Sequence, residues 1–144
     1  MGRLLALDVG ERRIGVAVSD PTGTLARPLT IITRASRQAD FQAIAQLVDE
    51  TAAERIIVGL PLSLDGTEGP QARTVRRYAE RLAQAISVGV EFWDERYSSA
   101  TAAEILRDKR KRRRRRPARE AIDAAAAAVI LQSFLDAGAS LKNE

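Results

Sequence analysis

Three carboxylates occupy positions at which an ionised side chain is costly. Asp8 ends an apolar, strand-like run, Glu95 follows a second such run, and Asp123 lies within an alanine-rich, helix-like segment. Because burial strips a carboxylate of its hydration, each of the three needs a cation, a hydrogen-bond partner or a water-filled cleft. They are therefore the first candidates for a catalytic or metal-binding site.

The residue types that this chain lacks narrow the chemistry. It contains no histidine and no cysteine, which excludes disulfides, thiolate nucleophiles, cysteine-type zinc sites and His-dependent catalytic triads. Carboxylates without imidazole or thiolate suit a hard cation such as Mg²⁺ or Mn²⁺. Since a carboxylate-held metal is the usual means of hydrolysing phosphodiester bonds, the pattern favours that reaction.

Two neighbouring segments could assist these acids. Asp8 precedes a glycine-containing turn, so it could bind a ligand beside Arg12 and Arg13, or merely stabilise the turn by accepting backbone N–H groups. The segment 61–69 follows an apolar strand, where open sheets place ligand-binding loops. Its Ser63 and Thr67 could donate hydrogen bonds to phosphate oxygens, although a plain connection to the next helix is equally consistent with the pattern.

The other two acids also have purely structural interpretations. Strand alternation puts Asp94 and Glu95 on opposite faces, and the sequence does not decide which of them faces the first acid. Either could form an ordinary ion pair with Arg96, which on an exposed surface is nearly neutral in energy. Asp123 could lie with Glu120 on the polar edge of a helix, one turn apart.

The basic residues are concentrated in one segment. The net charge is +4, but eight consecutive residues near the C-terminus are basic, and the rest of the chain has more acidic than basic residues. Adjacent like charges repel one another, so we expect a flexible loop at about 108–117, which a polyanion would neutralise through phosphate contacts. A solvated loop without a ligand is the alternative. The candidate phosphate-binding residues of this loop are Lys109, Arg110, Lys111, Arg112, Arg113, Arg114, Arg115 and Arg116.

Hydropathy patterning predicts an α/β fold. Strands are expected at 3–9, 14–19, 29–33, 55–60 and 88–94, and helices at about 37–52, 70–85, 98–107 and 117–137, with Gly138 just past the last helix. Short turns join the first three strands, which predicts an antiparallel meander, whereas the last two follow helices and should be parallel. We therefore expect one domain, 1–144, with a mixed five-stranded sheet flanked by helices.

The same pattern bears on location. No run reaches the roughly 20 apolar residues of a membrane span, and Asp8 interrupts the N-terminal apolar stretch too early for a secretory signal. We expect a cytoplasmic protein without a membrane partner, and the sequence leaves a monomer and a weak homodimer equally open.

Taken together and in this order, the motifs resemble one family. They are Leu7-Asp8-Val9-Gly10 with Arg13-Ile14-Gly15-Val16-Ala17, Gly59-Leu60-Pro61-Leu62 with Asp65-Gly66-Thr67-Glu68, Asp94-Glu95-Arg96, and Ile122-Asp123-Ala124-Ala125. The chain is similar over about residues 3–138 to the YqgF/RuvX family, bacterial proteins with a ribonuclease H-like fold related to the RuvC Holliday junction resolvases.

The resemblance implies a fold and a site. The fold would be ribonuclease H-like, and Asp8, Glu95 and Asp123 would be the catalytic residues, holding two Mg²⁺ or Mn²⁺ ions that activate a water and stabilise the leaving oxygen. Asp94 and Glu120 are further candidate ligands. The residues expected to contact nucleic acid, beside the basic loop, are Arg12, Arg13, Ser63, Thr67 and Arg96.

The resemblance also implies an activity, a nuclease in the 5′ maturation of precursor 16S ribosomal RNA. That function predicts precursor rRNA and the ribosome or its assembly intermediates as partners. Resolution of four-way DNA as a Holliday junction resolvase is the alternative, and a noncatalytic RNA-binding factor in ribosome biogenesis is a further one. The hairpin beside Asp8 also resembles the phosphate-binding turn of the actin and sugar-kinase superfamily, but this chain is too short for the two lobes of those ATP-binding proteins.

Overall fold

The apolar runs of the sequence form a five-stranded sheet with helices on both faces. The computed structural model describes residues 2–97 and 119–142, and the side chains of residues 2–96 and 123–138. The elements in chain order are β1 (Arg3–Val9), β2 (Arg13–Ser19), β3 (Ala26–Thr33), α1 (Arg37–Thr51), β4 (Ala53–Leu60), α2 (Pro70–Ala85), β5 (Gly89–Asp94), a 3₁₀ turn (Glu95–Tyr97) and α3 (Arg119–Lys142). The helix predicted at 98–107 and the basic loop predicted at about 108–117 lie outside the described residues.

The sheet is mixed, as the turn lengths predict. Its strand order is β3-β2-β1-β4-β5. The strands β1, β2 and β3 pair antiparallel, whereas β4 pairs parallel with β1 and with β5. Each parallel neighbour is reached through a helix, α1 or α2, because a parallel pair needs a crossover connection. The strand β1 is consequently central, and the carboxyl ends of β1, β4 and β5 lie at one edge of the sheet.

The two faces of the sheet carry separate cores. Leu5 and Leu7 of β1 pack with α1 and α2 on one face, whereas Leu4 and Ala6 pack with α3 on the other. Since successive side chains of a strand point to opposite faces, Asp8 continues the row of Leu4 and Ala6 and faces α3.

The strand β5 follows the same division. Phe92 packs with the core under α1 and α2, and Trp93 packs with the core under α3. The Trp93 indole also donates a hydrogen bond of 3.0 Å to Ser133 of α3. Alternation therefore directs the residue after Asp94, which is Glu95, toward the same face as Asp8.

Two predicted boundaries are wrong. The strand β3 begins at Ala26 rather than at residue 29 and includes Pro28, which an edge strand tolerates because its outer N–H positions need no partner. The helix α3 does not end before Gly138 but continues to Lys142. One glycine costs a helix only about 1 kcal/mol relative to alanine, less than the backbone hydrogen bonds of a further turn return. No helix in the described ranges is long and apolar enough to cross a membrane.

Candidate active site

Two of the three candidate acids are in direct contact. Asp8 is the last residue but one of β1, and Glu95 is the first residue after β5. They are separated by the width of β4 but lie at the same edge of the sheet, where open α/β sheets bind ligands. A side-chain hydrogen bond joins the two carboxyl groups. Asp8 therefore meets Glu95 rather than the backbone of its own turn.

This contact means that the pair shares a proton. Burial, then the charge of Asp123, raises the pKa of Asp8 to about 6, although the hydrogen bond with Glu95 opposes the rise. Burial, then the charge and hydrogen bond of Asp8, raises the pKa of Glu95 to about 7. Because the bond lowers one value and raises the other, Glu95 is the donor and Asp8 the ionised acceptor. Two carboxyls that cannot both ionise at low cost form a site that attracts positive charge.

The third acid approaches from α3. Asp123 lies in the second turn of that helix and is half-buried, and its charge is close enough to raise the pKa of Asp8. The helix comes close to the sheet at Gly15 of β2, which is the register partner of Asp8. A Cβ atom on Gly15 would overlap the backbone carbonyl of Asp123. The missing side chain of Gly15 thus lets α3 bring Asp123 over the end of β1.

A second glycine makes room for Glu95. Gly59 lies in β4, between the strands that carry Asp8 and Glu95. A Cβ atom there would lie 2.6 Å from Cδ1 of Ile130 and 2.7 Å from Oε1 of Glu95. Neither glycine was expected to position an acid, although glycine inside a strand is a known sign of close approach by another group.

The site opens into a small cleft that carries both signs of charge. The cleft has a volume of about 330 Å³ and is lined by Asp8, Asp123, Arg12 and Arg13, with Gly10 and Glu11 of the hairpin turn. We call it the acidic cleft. The structure thus brings Arg12 and Arg13 beside the acids, where they could contact a phosphate whose other oxygens face the carboxylates.

The donor set fits a hard cation in its chemistry. Asp8, Glu95 and Asp123 offer only carboxylate oxygens, the ligands that Mg²⁺ and Mn²⁺ prefer, and their mutual repulsion is what a cation relieves. Among residues 2–97 and 119–142 no group of three or more acidic side chains already has the geometry to hold a metal ion. The side chain of Glu120 lies outside the described residues. A metal at this site is accordingly a proposal that rests on the Asp8–Glu95 pair with Asp123 beside it.

Arg96 and Asp94 are occupied by each other. The Arg96 guanidinium donates to Asp94 at 2.8 Å from Nε and 2.6 Å from Nη2, and from Nη1 to the backbone oxygen of Leu64 at 3.2 Å. The ion pair holds the pKa of Asp94 below its usual range. Arg96 therefore ties the loop before α2 to the end of β5, and Asp94 points away from the face on which Asp8 and Glu95 meet.

The loop residues predicted to contact phosphate bond within their own loop. The Ser63 amide donates to the Thr67 carbonyl at 3.0 Å, and the Thr67 hydroxyl donates to Asp65 at 2.7 Å. Neither Ser63 nor Thr67 lines the acidic cleft. Their contact with nucleic acid stays a prediction, and so does that of Lys109–Arg116, which lie outside the described residues.

The shared proton predicts an unusual pH dependence of stability. The pKa of Asp8 is about 6 in the folded protein against 3.8 for a free side chain, so ionised Asp8 destabilises the fold above about pH 6, and the penalty disappears below about pH 4. One pKa unit corresponds to about 1.4 kcal/mol. We expect Asp8→Asn to raise the free energy of unfolding by roughly 1–3 kcal/mol at pH 8 in EDTA and to change it little at pH 4.

Urea denaturation at the two pH values measures this difference. Asp49→Asn is the matched control, since Asp49 is an exposed acid on α1 and its removal should leave the pH dependence of wild type intact. If wild type and Asp8→Asn lost stability in parallel between pH 4 and pH 8, Asp8 would not be the buried acid described above.

Comparisons with known proteins agree with this architecture. The sequence model of a family described as "RuvX: Holliday junction resolvase" matches residues 2–137. A relative from Thermoanaerobacter pseudethanolicus is 44% identical over 134 residues, covering 93% of this chain and 96% of its own length. A relative from Chloroflexus aurantiacus is 45% identical over 140 residues, covering 97% and 90%. Both carry the name "Putative pre-16S rRNA nuclease".

Solved structures share the fold at low identity. RuvC of Thermus thermophilus, in complex with a Holliday junction substrate, superimposes with a TM-score of 0.58 at 15% identity and covers 96% of this chain and 97% of its own. The fowlpox virus resolvase, in complex with Holliday junction DNA, gives a TM-score of 0.56 at 10% identity, covering 94% and 97%. These likenesses confirm the predicted ribonuclease H-like architecture.

Proposed function

Because this chain belongs to the RuvX family, we propose that it is a divalent-metal-dependent endonuclease acting in the 5′ maturation of precursor 16S rRNA. Hydrolysis of phosphodiester bonds is the activity of its family and relatives. The metal and the RNA substrate are what we add. The contact between Asp8 and Glu95, with Asp123 near enough to raise the pKa of Asp8, carries the metal dependence. The names of the relatives at 44–45% identity support the RNA.

The described residues support a division of roles. Asp8, Glu95 and Asp123 would hold Mg²⁺ or Mn²⁺, which supplies activation of a water and stabilisation of the leaving oxygen. Glu95 has a pKa of about 7, so it can release its shared proton near neutral pH. Arg12 and Arg13, on the wall of the acidic cleft, would bind the phosphate next to the scissile bond and orient it without reading bases.

The basic run adds affinity in this proposal. Residues 109–116 would hold phosphate groups of the substrate, and each contact would contribute roughly 0.7–0.9 to the slope of log affinity against log salt. Replacing Arg112–Arg116 with Ser should flatten that slope by the same amount for every sequence. An unchanged slope would mean that these side chains stay solvated and that affinity comes from elsewhere.

One incubation separates the candidate functions. Purified protein is mixed with precursor 16S RNA and, in parallel, with a four-way DNA junction, each with Mn²⁺, with Mg²⁺ and with EDTA. We expect cleavage of the RNA on the 5′ side of the mature sequence with either metal and none in EDTA. Metal-dependent cleavage of the junction alone would make the chain a resolvase, as the family description suggests. Binding of RNA without any cleavage would make it a noncatalytic factor.

A further inference from the structure

A second cleft lies on the other face of the sheet. It has a volume of about 710 Å³, within the range of ligand-binding pockets, and is formed by the hairpin turn after β1, the start of α1 and one side of α2. Arg34, Arg37, Arg77 and Arg81 line it. We call it the arginine cleft. Nothing in the family motifs of the sequence includes any of these four residues.

The two clefts are neighbours. Gly10 and Glu11 line both the arginine cleft and the acidic cleft. The hairpin turn that contains them stands at the edge of the sheet, so one cleft leads over this turn into the other. An extended chain that passes Asp8 could therefore continue into the arginine cleft without leaving the surface.

The arginine cleft has a surplus of positive charge. Glu11 is the one acid among its described lining residues. Arg37, Arg77 and Arg81 are exposed, and within the described part of the chain none of them has an ion-pair partner. Arg77 and Arg81 are also four residues apart on α2, where like charges repel each other. An anion between them would remove that repulsion.

The fourth arginine is held in place by buried groups. The Arg34 guanidinium lies 4.6 Å from the centre of the Tyr78 ring and 3.7 Å from Asp40, and it donates to the Gly10 carbonyl at 2.7 Å. Asp40 is only 3% exposed and accepts a hydrogen bond of 3.0 Å from the Tyr78 hydroxyl. This network fixes the floor of the cleft and attaches it to the hairpin turn.

The lining favours a phosphate backbone over bases. Tyr78 is the aromatic residue of the described lining, and it is 5% exposed, so its face is not available to stack on a base. Arginine binds phosphate oxygens with a planar fork of N–H donors. We infer that the arginine cleft binds the sugar–phosphate backbone of the nucleic-acid strand whose scissile bond lies in the acidic cleft, which extends the substrate path over the hairpin turn. This inference rests on the proposed nuclease function for the choice of ligand.

The test compares two charge-matched double variants. Arg77→Gln/Arg81→Gln removes two charges from the cleft, and Gln is a good helix former. Arg27→Gln/Arg73→Gln removes two exposed charges from outside both clefts. Arg27 pairs with Val18, which pairs with Leu5, so it lies toward the opposite end of the sheet from Asp8. The probe is a mixed-sequence single-stranded RNA in EDTA, and the readout is its dissociation constant from 50 to 300 mM salt.

We expect the cleft variant to lower the slope of log affinity against log salt by about 1.4, which is about 0.7 for each phosphate contact on a single strand. The control should lower it by less than half as much. Arg77→Lys/Arg81→Lys should keep the wild-type slope, because a point charge still attracts phosphate. An unchanged slope in the cleft variant, an equal loss in the control, or a loss in the lysine variant would each overturn the inference.

The assay is independent of cleavage. If wild type failed to cut precursor RNA but the cleft variant still lost slope, the proposed function would fail and the arginine cleft would stand as a nucleic-acid site. If wild type cut RNA but the slope did not depend on Arg77 and Arg81, the nuclease function would stand and the substrate would leave the acidic cleft by another route.

Discussion

The Asp8→Asn protein should cleave precursor RNA at least about a thousandfold more slowly than wild type at saturating Mg²⁺. Asp8 accepts the proton of Glu95 and lies within electrostatic reach of Asp123, so it is the link between the other two acids. Asparagine keeps the shape but removes the negative charge that a cation needs. Losses of about a hundred- to a thousandfold follow when an enzyme loses one group that stabilises transition-state charge, and a lost metal ligand should cost no less.

The same variant distinguishes a damaged site from a damaged fold. Its free energy of unfolding at pH 8 should exceed that of wild type, as argued above, so the loss of cleavage cannot come from unfolding. Single-turnover rates of Asp8→Asn, Glu95→Gln and Asp49→Asn are the measurement. Asp49→Asn should cut at the wild-type rate. Wild-type cleavage by Asp8→Asn would show that the three-acid site is not where hydrolysis occurs.

Replacing Gly15 with alanine should disrupt the site from the opposite side. The new methyl group would overlap the backbone carbonyl of Asp123, and neither a strand centre nor a helix backbone can give way as a flexible side chain does. Overpacking typically costs about 1–3 kcal/mol, and we expect the upper end of that range. Because α3 must move away from Asp8, we also expect a loss of about a hundredfold in cleavage, the scale of a 1 Å misplacement.

Two other glycines provide controls for this substitution. A Cβ atom on Gly138 of α3 or on Gly89 of β5 would meet nothing within 4 Å. Gly138→Ala should stabilise the protein by roughly 0.5–1 kcal/mol, because alanine is the better helix former. Gly89→Ala should leave cleavage unchanged. Thermal unfolding and single-turnover cleavage of the three variants measure both effects, and a neutral Gly15→Ala would contradict the close contact between β2 and α3.

The amino-acid sequence by itself determined the elements and the acids. The runs that end near Asp8 and Glu95 carry their strand character in local hydrophobicity, and the turn lengths between them predict which strands are antiparallel. Asp123 was detectable because a charge interrupts an apolar helix. These signals lie within a few residues of each other, and local hydrophobicity and propensity act at that range. The same local reasoning misjudged the end of α3 at Gly138, because one residue's propensity is small beside the continuation of a long helix.

Only the tertiary structure decided which of these residues meet. Strand alternation left Asp94 and Glu95 as equal candidates until packing of Trp93 against α3 directed Glu95 to Asp8. Packing likewise gave Arg96 to Asp94, made Gly15 and Gly59 the spacers of the site, and gathered Arg34, Arg37, Arg77 and Arg81 into one cleft. Such contacts join residues far apart in the chain. They depend on the order of strands and the close approach of backbones, which no short stretch of sequence encodes.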